Sequence, residues 1–246
     1  MLEQNVADGV HRIEDAHTNW YLVDDGGHLT VVDTGLPASW RSLQSALSEL
    51  GRSQKDIEAI VLTHGHFDHV GFARRAQEEL GVPVFVQEQD RGVAARPWHY
   101  AHERARLGYL RHPKHAQILT EMTLMGALGV KGVESVRTYG DGEQLDVPGR
   151  PMVISTPGHT YGHSSLLLRD RGALLAGDAF VTLDPYTGRD GPCLVAGAAT
   201  ADSAMAMASL ERIATLDAAV ALTGHGGPWR GSLRDAVDRA VAAGPA

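Results

Sequence analysis

Apolar residues fall along this chain in short runs closed by glycine or aspartate, and the spacing within the runs switches between two periods. Residues 10–13, 20–23 and 29–32 are brief apolar stretches, and Asp24-Asp25-Gly26-Gly27 separates the last two. Two such runs around an Asp/Gly cluster predict a β-hairpin, whose second strand ends at Asp33-Thr34-Gly35. Beyond Pro37 the apolar positions spread to Trp40, Leu43, Ala46, Leu47 and Leu50, a helical spacing that Gly51 stops. A strand over 59–62, a helix over 72–80 closed by Gly81 and a strand over 82–86 continue the alternation. Residues 90–130 break it. That segment is rich in Arg, His and aromatic residues and turns apolar at Met122, Leu124, Met125 and Leu128. Helical spacing in its second half predicts an inserted helical cap. Strands return at 152–155, 164–168, 173–176 and 218–222, with helices over 203–216 and 232–242. No repeat of 20–50 residues is visible.

The composition sets bounds on this picture. With 246 residues, 43% of them apolar, the chain can bury one sizeable core, so a single domain over 1–246 with the cap at 90–130 is expected. One cysteine, Cys193, rules out an internal disulfide framework. Cys193 lies in a Gly/Pro-rich loop without a neighbouring base, a poor setting for a nucleophile. Thirty acids against 22 bases give a net charge of −8, which argues against a phosphate-tracking nucleic-acid binder. The first 13 residues show no basic stretch leading into an apolar run, and no apolar stretch approaches the roughly 20 residues that span a bilayer. A cytoplasmic protein acting on a small-molecule substrate, with no nucleic-acid or membrane partner, is the expectation. A homodimer is compatible with it.

Histidine is the outlier, with 13 copies. Thr63-His64-Gly65-His66-Phe67-Asp68-His69 follows directly on the apolar run 59–62. In a loop, alternate side chains can turn the same way, so His64 and His66 can face one metal while Asp68 and His69 face a second. Gly65 would relieve crowding between the two imidazoles. Three more potential ligands follow apolar runs, each preceded by glycine: Gly158-His159, Gly177-Asp178 and Gly224-His225. Strand ends hold ligands rigidly, and glycine lets the backbone turn there. Imidazole with carboxylate suits zinc, iron or manganese. A carboxylate can bridge two metals, and Asp178 is placed to do so. Two metals about 3.5–4 Å apart can share a water, lower its pKa and stabilise an oxyanion. A lone His-x-His is often a coincidence of loop composition. The full His-x-His-x-Asp-His run, joined by three further strand-end ligands, is not easily read that way.

These motifs resemble the metallo-β-lactamase-fold hydrolases, over nearly the whole chain from Asn19 to Gly226. The resemblance implies a four-layer αββα sandwich, an α/β (α+β) fold with the site at one edge of its two sheets. It implies that His64, His66 and His159 bind a first metal, that Asp68, His69 and His225 bind a second, and that Asp178 bridges them. Two divalent ions are expected, zinc first, with iron or manganese also compatible. Asp33 matches the acid that steadies the metal-binding loop. The stretch Thr156-Pro157-Gly158-His159-Thr160-Tyr161-Gly162-His163 is close to the glyoxalase II-like pattern, in which His163 would bond within the loops and bind no metal. A bridging aspartate is absent from the β-lactam-hydrolysing classes, so that activity is disfavoured. Quorum-quenching lactonases carry a tyrosine three residues after the bridge, where this chain has Val181, and the nearest tyrosine is Tyr186. The C-terminal helical domain of glyoxalase II is missing from the roughly twenty residues after His225, and no nuclease module is visible.

The expected activity is that of a dinuclear metal-dependent hydrolase, in which a metal-bridging hydroxide attacks an ester, thioester or lactone carbonyl and Asp68 orients it or shuttles a proton. The alternatives are a phosphodiester hydrolase and a mononuclear iron persulfide dioxygenase. The latter would use only His64, His159 and Asp178 and have no need of Asp68, His69 and His225. Within the cap, Trp98, Tyr100 and 122–128 are expected to form a hydrophobic wall that sets substrate choice. His99, His102, His112 and His115 are expected on a solvated face, and His11, His17 and His28 at the surface.

Overall fold

Period-two alternation sorts the side chains of each strand onto two faces, and a computed structural model of residues 1–246 shows what each face meets. The chain runs β1 (Leu2–Ala7), β2 (Val10–Asp15), β3 (Thr18–Asp25), β4 (His28–Val32), α1 (Ser39–Glu49), β5 (Ile57–Val61), α2 (Phe67–Val70), α3 (Ala73–Leu80) and β6 (Val84–Gln87). The cap follows with α4 (Arg91–Ala95), a 3-10 turn (Arg106–Arg111) and α5 (Pro113–Leu124), and β7 (Arg137–Tyr139) closes the first half. The second half is β8 (Met152–Ser155), β9 (Ser164–Leu168), β10 (Ala173–Gly177), β11 (Val181–Leu183), β12 (Asp190–Cys193), α6 (Ser203–Ala214), β13 (Val220–Thr223) and α7 (Leu233–Ala243).

Strands β1 to β7 form one sheet in chain order, β13-β10-β9-β8 a second, and β11-β12 a separate hairpin. Between the two large sheets lie Tyr21, Val23, Val32 and Val61 from the first and Val153, Leu166, Leu175 and Leu222 from the second. The alternate residues Trp20, Leu22, Val31 and Ile60 point outward, against Trp40, Leu43 and Leu47 of α1 and against Phe72. The far face of the second sheet carries Leu167, Leu174 and Ala221 against Leu210 and Ile213 of α6 and Val237 and Ala240 of α7. Helix, sheet, sheet, helix is the four-layer αββα order. Phe72 sets its ring edge-to-face on Trp20 at 5.3 Å and on Trp40 at 5.7 Å. Each such pair contributes about 0.5–1.5 kcal/mol beyond burial.

Strand directions gather the site. Strands β4, β5 and β6 are parallel, so their carboxyl ends share one edge. In the second sheet β8 and β10 both run antiparallel to β9, and β13 runs parallel to β10, so those three also point one way. Asp33, His64 and Asp90 follow the first set of strand ends, and His159, Asp178 and His225 the second.

The structure departs from the sequence reading in several places. Strand β1 was not anticipated because it is an edge strand with mostly exposed polar residues, and β7 because it is only three residues long. The β11-β12 hairpin lies in a Gly/Pro-rich stretch with no alternation. His11 is buried rather than at the surface: β1 covers it, and its Nδ1 accepts the Asn5 N–H at 3.3 Å. His17 is half-buried, with Nε2 3.1 Å from Glu121 in the cap, while His28 is exposed. The helical spacing of the cap holds for α5, but its first part is irregular. No helix is long and apolar enough to cross a membrane.

Candidate metal centre

All seven clustered histidines and aspartates meet at this edge, and all are buried. Their donor atoms fall into three overlapping groups, each within 4.8 Å: His64, His66 and His159; His64, His69 and Asp178; Asp68, His69 and His225. Asp178 stands between the outer two. Its Oδ2 lies 3.4 Å from His159 Nε2 on one side, and 3.4 Å from His225 Nε2 and 3.8 Å from His69 Nε2 on the other. Asp68 Oδ2 is 3.4 Å from His225 Nε2.

The imidazoles are held by their outer nitrogens. His69 Nδ1 donates to Asp33 Oδ2 at 2.9 Å and His225 Nδ1 to the His17 carbonyl at 2.7 Å. Thr63 Oγ1 gives its own proton to Asp33 and so accepts from His64 Nδ1 at 3.0 Å. Thr200 Oγ1 gives its proton to the Val195 carbonyl and accepts from His159 Nδ1 at 3.4 Å. A proton on Nδ1 leaves the Nε2 lone pair facing inward, the orientation a metal ligand needs. Nε2 of His64, His66, His69 and His159, with Asp178 Oδ1, are buried and have no hydrogen-bond partner. Five inward-facing polar atoms without partners are costly unless a cation meets them, so the donor set fits divalent metal.

Electrostatics divide the cluster. Burial, reinforced by the neighbouring imidazoles, holds His64 well below the ordinary histidine range, and burial pushes His159 down to about 3. Burial also works to lower His69, but Asp33, Asp178 and Asp68 outweigh it and push its pKa up to about 10. Asp178 resists the upward push of burial because His225 and His69 face it, and its carboxyl stays well below the carboxylate range. The first group is thus a set of neutral lone pairs and the second a mesh of opposite charges. His163 stands apart: its Nε2 accepts the Asp178 N–H at 2.9 Å and its Nδ1 bonds Thr156 Oγ1 at 2.9 Å, so neither nitrogen is free for metal.

The 63–69 segment is not wholly a loop. His66 caps the one-turn helix α2, which carries Asp68 and His69. That turn is tied to the loop after β4 by Thr34 N–H to the His69 carbonyl and Gly71 N–H to the Gly35 carbonyl. Gly65 is required for a different reason from the one the spacing suggested. A Cβ there would stand 2.6 Å from Ala94 N and 2.9 Å from Val93 Cβ, so the residue makes room for α4 and not for the imidazoles.

Asp90 is a structural element that the sequence reading missed. Fully buried, its carboxylate accepts from Gly65 N–H (2.8 Å), Thr160 Oγ1 (2.7 Å) and Gly162 N–H (2.8 Å). It thereby clamps the loop of His64 and His66 to the loop of His159. Its one legible signal is its place just after an apolar strand, the same place the other acidic residues occupy. Asn19 likewise anchors the 223–226 turn, through Nδ2 to the Thr223 and Gly226 carbonyls at 2.8 and 2.7 Å.

A narrow cavity of about 40 Å³ opens over the cluster. His66, Asp68, His159, Asp178 and His225 form its floor, and Phe67, Ile118, Leu119, Met122, Val195 and Ala199 line much of its wall. Trp98 stacks on Phe67 at 3.9 Å and Tyr100 on His66 at 3.8 Å. The expected wall is real but narrower: Leu124 and Leu128 are exposed, and Met125 packs behind Phe67. His115 departs from the solvated face expected for it. It is buried on the cavity wall, stacks on Tyr186 at 4.9 Å and bonds the Pro185 carbonyl at 3.1 Å. Val181 is buried in β11, and the phenol that reaches the cavity in this stretch belongs to Tyr186. Cys193 is buried, and burial pushes its thiol up to about 12.

The sequence pattern of the Metallo-beta-lactamase superfamily matches residues 13–225. A curated relative, the probable metallo-hydrolase YflN of Bacillus subtilis (strain 168), is 29% identical over 245 residues, covering 92% of this chain and 86% of its own. Among solved structures, the metallo-beta-lactamase family protein TTHA1429 from Thermus thermophilus superposes with a TM-score of 0.67 at 31% identity, over 94% of this chain and 77% of that one. TTHA1623, solved in a di-iron-bound form, shares the fold with a TM-score of 0.61 at 24% identity, over 91% and 93% of the two chains. With a family match that takes in every strand bordering the cluster, this chain belongs to the metallo-β-lactamase superfamily and is a metal-dependent hydrolase.

Proposed function

We propose that the seven residues hold two metal ions, with His64, His66 and His159 on one, Asp68, His69 and His225 on the other and Asp178 between, and that the protein hydrolyses an ester, thioester or lactone carbonyl. The observation that carries the reading is the pairing of this donor set with an apolar cavity that has no Lys or Arg among its lining residues. A phosphodiester backbone calls for several cationic contacts, whereas a carbonyl compound with an apolar acyl chain needs only the floor and the wall described above. The complete second donor group, with every member buried, supports a dinuclear site over the mononuclear iron alternative, which would leave Asp68, His69 and His225 unused.

Bound metals would supply an activated water and Lewis-acid stabilisation of the developing oxyanion. The chain's own residues do the rest. Ile118, Met122 and Val195 hold the acyl group and exclude bulk water. The hydroxyl of water adds to the acyl carbon, the bond to the leaving oxygen or sulfur breaks, and the proton of that water ends on the leaving group. Asp68 lines the cavity beside His225 and carries that proton. Burial pushes Tyr100 and Tyr186 up, so both phenols remain protonated donors on the wall. A panel of thioesters, lactones, carboxylic esters and phosphodiesters, run with the zinc-, iron- and manganese-loaded protein, tests the proposal. Turnover of carbonyl substrates is expected. Turnover of phosphodiesters alone, or oxygen consumption with a persulfide, would contradict it.

A further inference from the structure

One of the five clustered imidazoles lacks the support that the other four have. His64, His69, His159 and His225 are each fixed by a hydrogen bond at Nδ1. Neither ring nitrogen of His66 is hydrogen-bonded within the protein. Its Nε2 is buried without a partner, and although the residue opens α2, its side chain caps no backbone N–H. An imidazole without such a bond can turn about its side-chain torsions, and a ligand that turns binds metal less tightly.

What holds His66 is a ring from the cap. Tyr100 lies against the imidazole with centroids 3.8 Å apart and planes inclined by 36°. Two residues earlier, Trp98 stacks on Phe67, the neighbour of His66, at 3.9 Å and 11°. Alternate cap residues thus grip consecutive residues at the start of α2. Arg106 Cζ stands over the Tyr100 ring, 4.5 Å from its centroid. Two groups that close cannot share one face, so the ring is held between the guanidinium and the imidazole. Three residues beyond Tyr100, Glu103 N–H donates to the Gly197 and Thr200 carbonyls at 2.9 and 3.0 Å, and Thr200 is the residue whose hydroxyl accepts from His159 Nδ1. The cap segment therefore bears on the supports of two of the three ligands assigned to the first metal. Face-to-face packing fixes the plane of a ring much as a hydrogen bond fixes its direction.

We propose that Tyr100 is a positioning residue for His66, standing in for the missing hydrogen bond, so that the posture of the cap sets how tightly the first metal is held. The ring face does this, and the hydroxyl takes no part in it. The cap is then more than a wall for substrate, because one of its side chains belongs to metal recognition. This rests on the two-metal reading above. The second donor group owes nothing to Tyr100: Asp33 holds His69 and the His17 carbonyl holds His225. Loss of the ring should act on one ion and spare the other.

Stepwise removal of cobalt from the loaded protein by a chromophoric chelator tests this without turnover, and His66→Ala identifies the step that belongs to the first metal. Tyr100→Leu keeps apolar bulk but loses the ring. It should weaken that step about 10-fold, near the top of what an aromatic pair contributes and the bottom of the range for losing the partner of a ligating imidazole. It should also shift the visible absorption of that cobalt ion and leave the other step unmoved. Tyr100→Phe should match the wild type in both readouts. A folded Tyr100→Leu with wild-type affinity and spectrum, equal losses at both steps, or a Tyr100→Phe as weak as Tyr100→Leu would overturn the inference. A single cobalt per wild-type chain, released in a step that His66→Ala abolishes, would sink the two-metal reading alone, and Tyr100→Leu must still weaken that step. A single cobalt whose release His66→Ala leaves unmoved would sink both.

Discussion

Replacing Gly224 by alanine adds one methyl group at the centre of the site. Gly224 is pinned from both sides: its N–H donates to the Gly177 carbonyl at 2.8 Å and its carbonyl accepts the Asn19 N–H at 2.7 Å. The backbone cannot retreat without breaking those bonds. A Cβ at 224 would overlap Asp178 Oδ1 and stand 3.1 Å from Asp178 Cγ and 2.8 Å from His69 Cε1. Carbon atoms pack comfortably at about 3.5–4.0 Å, so His69 must withdraw by roughly 0.5–1 Å and the overlapping Asp178 carboxylate by more than about 1 Å. Side chains can yield where backbone cannot, so the fold should survive with a loss of about 1–3 kcal/mol. What yields, however, is the proposed bridge and a ligand of the second metal. Displacing them should weaken metal binding by about 10- to 100-fold and turnover by about 100-fold. Competition against a chromophoric chelator reads the affinity, and a circular-dichroism melt confirms folding. A folded Gly224→Ala protein with wild-type metal affinity and turnover would refute the reasoning.

Other consequences follow from the residues around the cluster. Asp33→Ala strands Thr63 N–H, Thr63 Oγ1 and His69 Nδ1, each now within 2.9 Å of its carboxylate, and should destabilise the protein by about 1–3 kcal/mol per group in urea unfolding. Asp33 also adopts a left-handed backbone with φ 58°, which asparagine tolerates, so Asp33→Asn should lose less, and an unchanged Asp33→Ala would contradict this role. Asp90→Asn keeps the shape but turns a donor towards one of three donors, so metal affinity should fall about 10-fold or more; wild-type affinity would show that the clamp is dispensable. Cys193, with its thiol pushed up to about 12, carries little thiolate at pH 8. Native protein should therefore react with an aromatic disulfide reagent only as fast as it opens, and stoichiometric reaction within seconds would contradict the burial.

The strand-end residues were legible because each closes a short apolar run, and the fold needs only to align those ends. His64, His159, Asp178 and His225 come together for that reason, and Asp33 could be placed by the same pattern. The cap was not legible in the same way. Tyr100 reaches the cavity through irregular backbone, where no period says which way a side chain points, whereas His115 shares the buried face of α5 with Ile118 and Met122, a helical register hidden by the polar and charged residues around it. Asp90 is spoken for by three donors from 25 to 72 residues away, contacts that carry no local trace. Gly65 shows the limit differently: its position beside two histidines suggested one cause, and the cause is a helix from a distant segment. Edge strands β1 and β7 escaped because exposed, short strands lack the alternation that burial imposes.

The most direct test of the dinuclear centre is the number of metal ions per chain, by inductively coupled plasma mass spectrometry after exhaustive dialysis of wild type and Asp178→Ala. Two metals per wild-type chain, and loss of dinuclear binding together with turnover in Asp178→Ala, is the result predicted. One metal per wild-type chain, or two metals with full turnover in Asp178→Ala, would contradict the account.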